Sequence, residues 1–316
     1  MERFTRMRHL PNLKSFNAQE ITAILEKAVQ MKAYPKEFSN LLKNESMAMI
    51  FQKTSTRTRV SFEVAMTELG GHGIYIDWST SNFVLSGIEY ETEYLSRNVS
   101  SIMARLLHHN DLEKIIASSK VPVINGCCER YHPCQALTDI LTMSEFGDLN
   151  STHLVYVGVQ NNVSNSLTIV CAKLGINLTL ATPVLEKKEE SFELEVQELI
   201  EQSKYVNHTT NVEEAVRTAD FVYTDTWIDM QYFNDPAHAD EKSARLAQMM
   251  PYQINSELLK GLSCKIMHDM PIHSGYEITA EMVHDPRSII FQQSENRLHA
   301  QKGLLWWIYR EAGMAS

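Results

Sequence analysis

Gln52-Lys53-Thr54-Ser55-Thr56-Arg57-Thr58-Arg59 follows a short apolar run at 47–51 and leads into helical spacing at 60–69. A buried strand that ends in a loop rich in hydroxyls and cations, then runs straight into a helix, is the repeating unit of parallel α/β sheets. The same rhythm recurs along the chain. Apolar runs at 74–77, 121–124, 154–157, 178–181, 221–224 and 266–268 predict further strands. Helical spacing at 112–118, 133–146, 163–174, 192–202, 212–218 and 295–312 predicts the helices that separate or follow them. The turn-rich Gly147-Asp148-Leu149-Asn150-Ser151 nearly halves the chain. The expected fold class is therefore α/β, with two lobes that each hold a central parallel sheet flanked by helices. One lobe would span residues 1–146, with 294–316 packing back on it, and the other residues 151–290. Ligands of open parallel sheets bind beyond the carboxyl ends of the strands, so the active site is expected in the cleft between the lobes.

The length of 316 residues suits two ordinary domains with real cores, and 44% hydrophobic with 22% charged residues is a soluble, globular balance. Lys and Arg number 29 against 39 Asp and Glu, a formal charge of −10 that lacks the basic footprint nucleic acid demands. Any anion must be held by a local site. Five cysteines without regular spacing argue against a disulfide framework and against a Cys/His zinc pattern. No run of 18 apolar residues offers a membrane span, and Arg3, Arg6 and Arg8 precede no apolar stretch of the kind a secretory signal needs. A cytoplasmic protein is expected.

Four strand ends carry chemistry. In the first, Ser55, Thr56, Thr58 and Arg57 stand where a helix N-terminus presents free N–H groups and the positive end of its dipole, which makes an anion site. The bland alternative is a hydroxyl cap with solvated arginines. The glycines of a P-loop are absent. The second is His132-Pro133-Cys134-Gln135, where Pro133 marks a helix start and places His132 and Gln135 at its mouth. A neutral His can donate to a carbonyl there and a Gln can read an amide, though both could be structural. Cys134 lacks an identified base and reads as inert. The third and fourth, Met267-His268-Asp269-Met270-Pro271 and Thr224-Asp225-Thr226-Trp227-Ile228-Asp229-Met230, put Asp225, Asp229 and Asp269 where acidic groups would attract an ammonium. Singly, each aspartate could equally be a solvated loop residue. His268 has no partner at metal-ligand spacing, so no metal site is expected.

Ser55-Thr56-Arg57-Thr58-Arg59, Met103-Ala104-Arg105, His132-Pro133-Cys134-Gln135 and Ser294-Glu295-Asn296-Arg297-Leu298-His299 occur in this order in the aspartate/ornithine carbamoyltransferases. The chain resembles the ornithine and putrescine branch of that family over nearly its whole length. The resemblance implies a carbamoyl-phosphate lobe followed by an amine-binding lobe, homotrimers or multiples of them, and a place in ornithine and arginine metabolism. It implies that Ser55, Thr56, Arg57 and Thr58 hold the phosphate, and that Arg105, His132, Gln135 and Arg297 surround the carbamoyl group. Arg105, His132 and Arg297 would be the catalytic set. Asn161 and Asn162 resemble the pair that contacts the amino-acid substrate, and Asp225 matches an aspartate that binds the acceptor's amino groups. Asp229, Met230, Asp269 and Met270 fall where the family places its amine pocket. The implied reaction, attack of a neutral amine on the carbamoyl carbon with loss of phosphate, calls for no metal, organic cofactor or covalent intermediate. The phosphate itself can take the amine proton.

Three departures from the family pattern stand out, two of them at the acceptor site and one in the loop that reads carbamoyl phosphate. The family usually has His-Cys-Leu-Pro where this chain has His268-Asp269-Met270-Pro271. Its ornithine enzymes usually carry Asp-x-x-x-Ser-Met-Gly, where this chain places Asp229 and then Met230-Gln231. Each change sets a carboxylate beside the amine site, and it would repel an acceptor's own carboxylate by a few kcal/mol at ~4 Å and an effective dielectric near 20. Either the enzyme prefers a diamine or another diamino acid, or these aspartates turn away or are paired and ornithine fits. The absence of a longer C-terminal extension leans toward ornithine rather than putrescine. The third departure is the loop Asn82-Phe83-Val84-Leu85-Ser86, where the family's polar reader falls near Leu85, leaving Asn82 or Ser86 to substitute. A paralogue that binds without turnover is the reading from another class, and the joint presence of Arg57, Arg105, His132, Gln135 and Arg297 argues against it.

Overall fold

The computed structural model describes residues 7–184, 191–228 and 239–314. It divides into two compact units, Met1–Leu141 with Glu295–Ser316, and Thr142–Ser294. In the first unit, β1 (Ser46–Phe51), β2 (His72–Asp77), β3 (Ser101–Arg105) and β4 (Val123–Cys127) form a parallel sheet in the order β2-β1-β3-β4. Every residue of β3 and β4 is buried, as is all of β1 after Ser46, the pattern of strands covered on both faces. The cover comes from α1 (Ala18–Ala33), α2 (Thr56–Glu68), α3 (Ile88–Ser96), α4 (His109–Ser118), α5 (Pro133–Ser144) and the end of a long terminal helix. One core layer gathers Ala48, Ile50, Ile102, Ala104, Leu112, Ile115 and Val123.

The second unit holds β5 (His153–Val157), β6 (Asn177–Ala181), β7 (Val206–Thr209), β8 (Phe221–Thr224) and β9 (Lys265–His268), all parallel, in the order β7-β6-β5-β8-β9. Its helices are α6 (Asn162–Leu174), α7 (Leu194–Gln202), α8 (Val212–Val216), α9 (Ala239–Met249) and α10 (Ala280–Val283). A core of Val155, Val157, Val222, Met249, Ile254, Ile266 and Ile278 lies on one face of the sheet. The terminal helix α11 (Ile290–Glu311) begins in this unit and ends in the first.

Strand order fixes where ligands can bind. In the first sheet the chain leaves β1 for β2 on one side and then returns to β3 on the other, so the switch lies between β1 and β3. In the second sheet β5 leads outward to β6 and β7, then the chain returns to β8, and the switch lies between β5 and β8. Connections that depart to opposite faces leave a crevice beyond the strand tips at these two points. Phe51 pairs with Arg105 at the first, and Val157 with Thr224 at the second. The turns and helix starts that follow carry Ser55, Arg57 and Thr58 in one unit, and Asn161 and Asp225 in the other.

Candidate active site

At the first switch point, Ser55 caps α2 by accepting the Thr58 backbone N–H at 3.2 Å, and donates its own hydroxyl to Thr58 Oγ1 at 3.1 Å. Thr58 Oγ1 also accepts from Arg297 Nη2 at 2.9 Å. With both lone pairs taken, the Thr58 hydroxyl is left to act as a donor. The same guanidinium nitrogen lies 3.0 Å from His132 Nε2. A guanidinium cannot accept, so His132 Nε2 is the acceptor, and the imidazole is the neutral tautomer with its proton on Nδ1. Burial, then the charges of Arg297, Arg105, Lys53 and Arg57, hold the His132 pKa well below its ordinary value. Four cations therefore converge on one buried, uncharged imidazole in a chain of net charge −10.

Arg105, at the last position of β3, and Gln135, in the first turn of α5, are both buried. Gln135 Nε2 donates to Asp139 Oδ1 at 2.8 Å, which orients its carbonyl oxygen. Gln135 Oε1 and Arg105 Nε have no partner among the described residues. A buried donor and a buried acceptor left open in the same unit call for a ligand that offers both an oxygen and an N–H. Cys134 is shielded beside them: burial is the main cause that pushes its thiol up to about 12, so it is no nucleophile at neutral pH.

At the second switch point, Gly158 adopts φ +141°, a conformation open to glycine, and the chain turns there from β5 toward α6. Asn161 caps α6, accepting from the Val163 and Ser164 N–H groups at 3.0 and 3.1 Å. Its amide donates to Asp225 Oδ2 at 2.6 Å, while Thr226 N donates to Asp225 Oδ1 at 2.7 Å. Tyr156 directs its hydroxyl to Val159 O at 3.0 Å and Asn161 Oδ1 at 3.2 Å. Asp225 is only 6% exposed. Burial and the neighbouring Asp269 carboxyl raise its pKa well above the usual carboxylate range. One oxygen of each carboxyl and one nitrogen of His268 lie within 4.8 Å of one another, the size of a metal site. His268 is already committed, however. Its Nδ1 accepts the Met270 N–H at 2.8 Å, and its Nε2 donates to the fully buried Glu277 at 3.1 Å. What remains is a carboxyl pair.

The structure brings Ser55, Thr58, Arg105, His132, Gln135 and Arg297 into the first unit's strand-end region, with Arg57 half-buried and Thr56 exposed at the start of α2. Asn161, Asp225 and Asp269 meet in the second unit. Asn162 is the first residue of α6, half-buried, and the half-buried Met270 packs with the core under β8 and β9. Asp229 and Met230 lie outside the described residues. Leu85, where a polar reader was expected, is exposed. Sequence reasoning missed Lys53, although it stands in the same loop as Arg57, and missed Tyr156 and Glu277. Nothing in the spacing of Glu277 announces that it faces His268, because a loop between β9 and α10 makes that contact.

Two family patterns cover nearly the whole chain. Residues 8–145 match the carbamoyl-P binding domain of aspartate/ornithine carbamoyltransferase, and residues 150–308 match its Asp/Orn binding domain. The fold and the two strand-end sites thus define a carbamoyltransferase. The chain belongs to the aspartate/ornithine carbamoyltransferase family. It is 40% identical over 305 residues to an ornithine carbamoyltransferase of Archaeoglobus fulgidus, covering 95% of this chain and 96% of that one. A catabolic ornithine carbamoyltransferase of Halobacterium salinarum is 37% identical over 302 residues, covering 95% and 98%. Among solved structures, the ornithine carbamoyltransferase of Pyrococcus furiosus superposes with a TM-score of 0.85 at 38% identity, covering 94% of this chain and 96% of that one.

Proposed function

We propose that the protein transfers the carbamoyl group of carbamoyl phosphate to the amine of ornithine or an ornithine-like acceptor and releases phosphate. The observation that carries this reading is Arg297, which donates to Thr58 and to His132 at once beside the open Arg105 Nε and Gln135 Oε1. Carbamoyl phosphate matches those groups. Its phosphate suits the Ser55–Thr58 loop at the N-terminus of α2, with Arg57 as a forked partner. Its carbonyl oxygen suits Arg105, the Thr58 hydroxyl and His132 Nδ1–H. Its NH2 suits the Gln135 carbonyl.

Attack of a neutral amine on the carbamoyl carbon turns that carbonyl oxygen into an oxyanion, and the same donors then bind it more strongly than they bound the ground state. One preorganised donor of this kind is worth about 2.7–4 kcal/mol. Holding the acceptor in line against a fixed carbamoyl group supplies much of the rest. The departing phosphate can accept the amine proton, so His132 serves as a neutral donor and need not titrate. Asn161, Asn162 and Asp225 would hold the acceptor. Five free cysteines, all buried, fit a reducing cytoplasm. Among the described residues no helix is long and apolar enough to cross a membrane.

The test is phosphate release from carbamoyl phosphate by purified protein, with ornithine and a panel of other amines. Amine-dependent release that is lost in Arg57→Ala supports the reading. No release with any amine would refute it.

A further inference from the structure

Asp225 and Asp269 each present a carboxyl oxygen within 4.8 Å of the other, and each is fixed from a different strand end. Asp225, after β8, is held by Asn161 Nδ2 and by the Thr226 N–H. Asp269, after β9, is held through its neighbours. Glu277 Oε1 accepts from His268 Nε2 at 3.1 Å and from the His273 N–H at 2.6 Å. His268 Nδ1 in turn accepts the N–H of Met270, whose φ of +62° is left-handed backbone that costs a non-glycine residue. The two residues on either side of Asp269 are thereby locked, which aims its side chain.

His268 Nδ1 lies 3.8 Å from Asp269 Oδ1, a distance that could pass for an ion pair. It is not one, because Nδ1 is spending its lone pair on Met270 and carries no proton. His268 therefore offers the two carboxyls no N–H. Two carboxylates this close cannot both ionise unless a cation joins them, and in its absence they share a proton. Burial and Asp269 raise Asp225 accordingly.

We propose that Asp269 is a specificity-determining residue that, with Asp225, forms a two-carboxylate seat for the non-reacting end of the acceptor. The seat favours an end that brings an ammonium without a carboxylate beside it, as a simple diamine does. An ornithine end brings both charges, so the pair must keep its shared proton to hold it and loses half of its attraction. A diamine end displaces that proton and faces two full negative charges. This rests on the proposed carbamoyl transfer and names the acceptor class within it.

The experiment measures kcat/KM for 1,4-diaminobutane and for ornithine, with carbamoyl phosphate saturating, in the wild-type enzyme and in Asp269→Asn. The expected wild-type preference is for the diamine by roughly tenfold or more, the factor that about 1.4 kcal/mol of charge discrimination gives. In Asp269→Asn, which keeps the shape and removes the charge, the ratio should swing toward ornithine by a similar factor through KM. A wild type that prefers ornithine, or a variant that loses both activities equally, overturns the proposal while leaving carbamoyl transfer standing. Absence of turnover with either amine and with the wider panel removes the underlying function as well. The wild-type ratio requires no variant, so misfolding of Asp269→Asn would not protect the proposal.

Discussion

Arg297 does two things that no other single side chain at that position could do. Its Nη2 reaches both Thr58 and His132, and so turns a hydroxyl and an imidazole into oriented donors at once. Lysine offers three donors on a mobile stem but not a rigid fork. Arg297→Lys should therefore lower kcat by roughly 10²–10³-fold, the loss of about one preorganised donor, and move KM for carbamoyl phosphate far less. Steady-state kinetics against both substrates would check it. Titration supplies a second prediction. Burial lowers the His132 pKa well below 6.5, and burial with Lys302 and Lys32 lowers His299 from 6.5 to about 4. Below pH 6.5 the unfolded chain binds protons at these histidines that the folded chain refuses, so ΔG of unfolding rises with pH across that window and falls on acidification. Urea midpoints should drop between pH 6.5 and 4, and His299→Gln should flatten the slope. The thiols give a third prediction. Burial first of all pushes Cys128 and Cys134 up to about 12, so a thiol reagent at pH 8 should leave both unmodified in the native protein and label them once it is unfolded.

Helix α11 places Arg297 and must be held firmly to do so. Lys302 donates to Glu68 on α2 at 2.6 Å, Asn296 accepts from Lys32 on α1 at 2.7 Å, and the Tyr309 and Ser101 hydroxyls share a hydrogen bond of 2.7 Å. At Gly303, α11 lies close against α1. A Cβ there would lie 2.4 Å from the backbone oxygen of Ile24 and 2.9 Å from Ala28 Cβ, so helix must move from helix. Gly303→Ala should cost about 1–3 kcal/mol despite alanine's better helix propensity, read as a lower midpoint in chemical denaturation. Elements of this kind were legible in the sequence where burial on both faces wrote a continuous apolar run, as in β1, β5 and β8. They were not where other forces decided. β3 reads Ser101-Ile102-Met103-Ala104-Arg105, a strand bounded by a polar residue and a cation, so its sequence shows the motif Met103 to Arg105 rather than an apolar run. β7 is an edge strand with Val206 as its one buried residue, so it writes no apolar run. α1 does carry a readable start, the capping box Asn17 with Glu20, but no strand precedes it to set the α/β rhythm. The phosphate loop was legible because its hydroxyls and arginines are contiguous. The Asp225–Asp269 contact was legible only as two strand ends, since its geometry depends on Glu277 and His268.

The molecule as a whole places its two chemical loops at the two switch points of its sheets, one in each unit, and keeps a net charge of −10 while concentrating cations around one imidazole. That concentration would steer an anionic substrate against the global field of the protein, because local charges dominate within a Debye length of about 8 Å. The surface of the first unit carries a second message. Leu85 is 83% exposed and Tyr90 76%, and Val84 and Tyr94 are exposed in the same stretch between β2 and β3. Large apolar side chains gathered on a single chain's surface mark a surface that another protein covers. A homo-oligomer accounts for them without a further partner, and a trimer is the state we propose. Sedimentation equilibrium at micromolar concentration should then give three times the 36.1 kDa of one chain. The double variant Leu85→Asp with Tyr90→Lys should dissociate that particle, because each substitution sets a charge into an interface that the wild-type residues would keep dry. Leu85 stands in the loop where the family's polar reader falls, so only a fall in activity that Tyr90→Lys alone also produces on dissociation would show that one chain completes another's site. A wild-type protein that sediments as a monomer would overturn the trimer and leave those apolar side chains to a different partner.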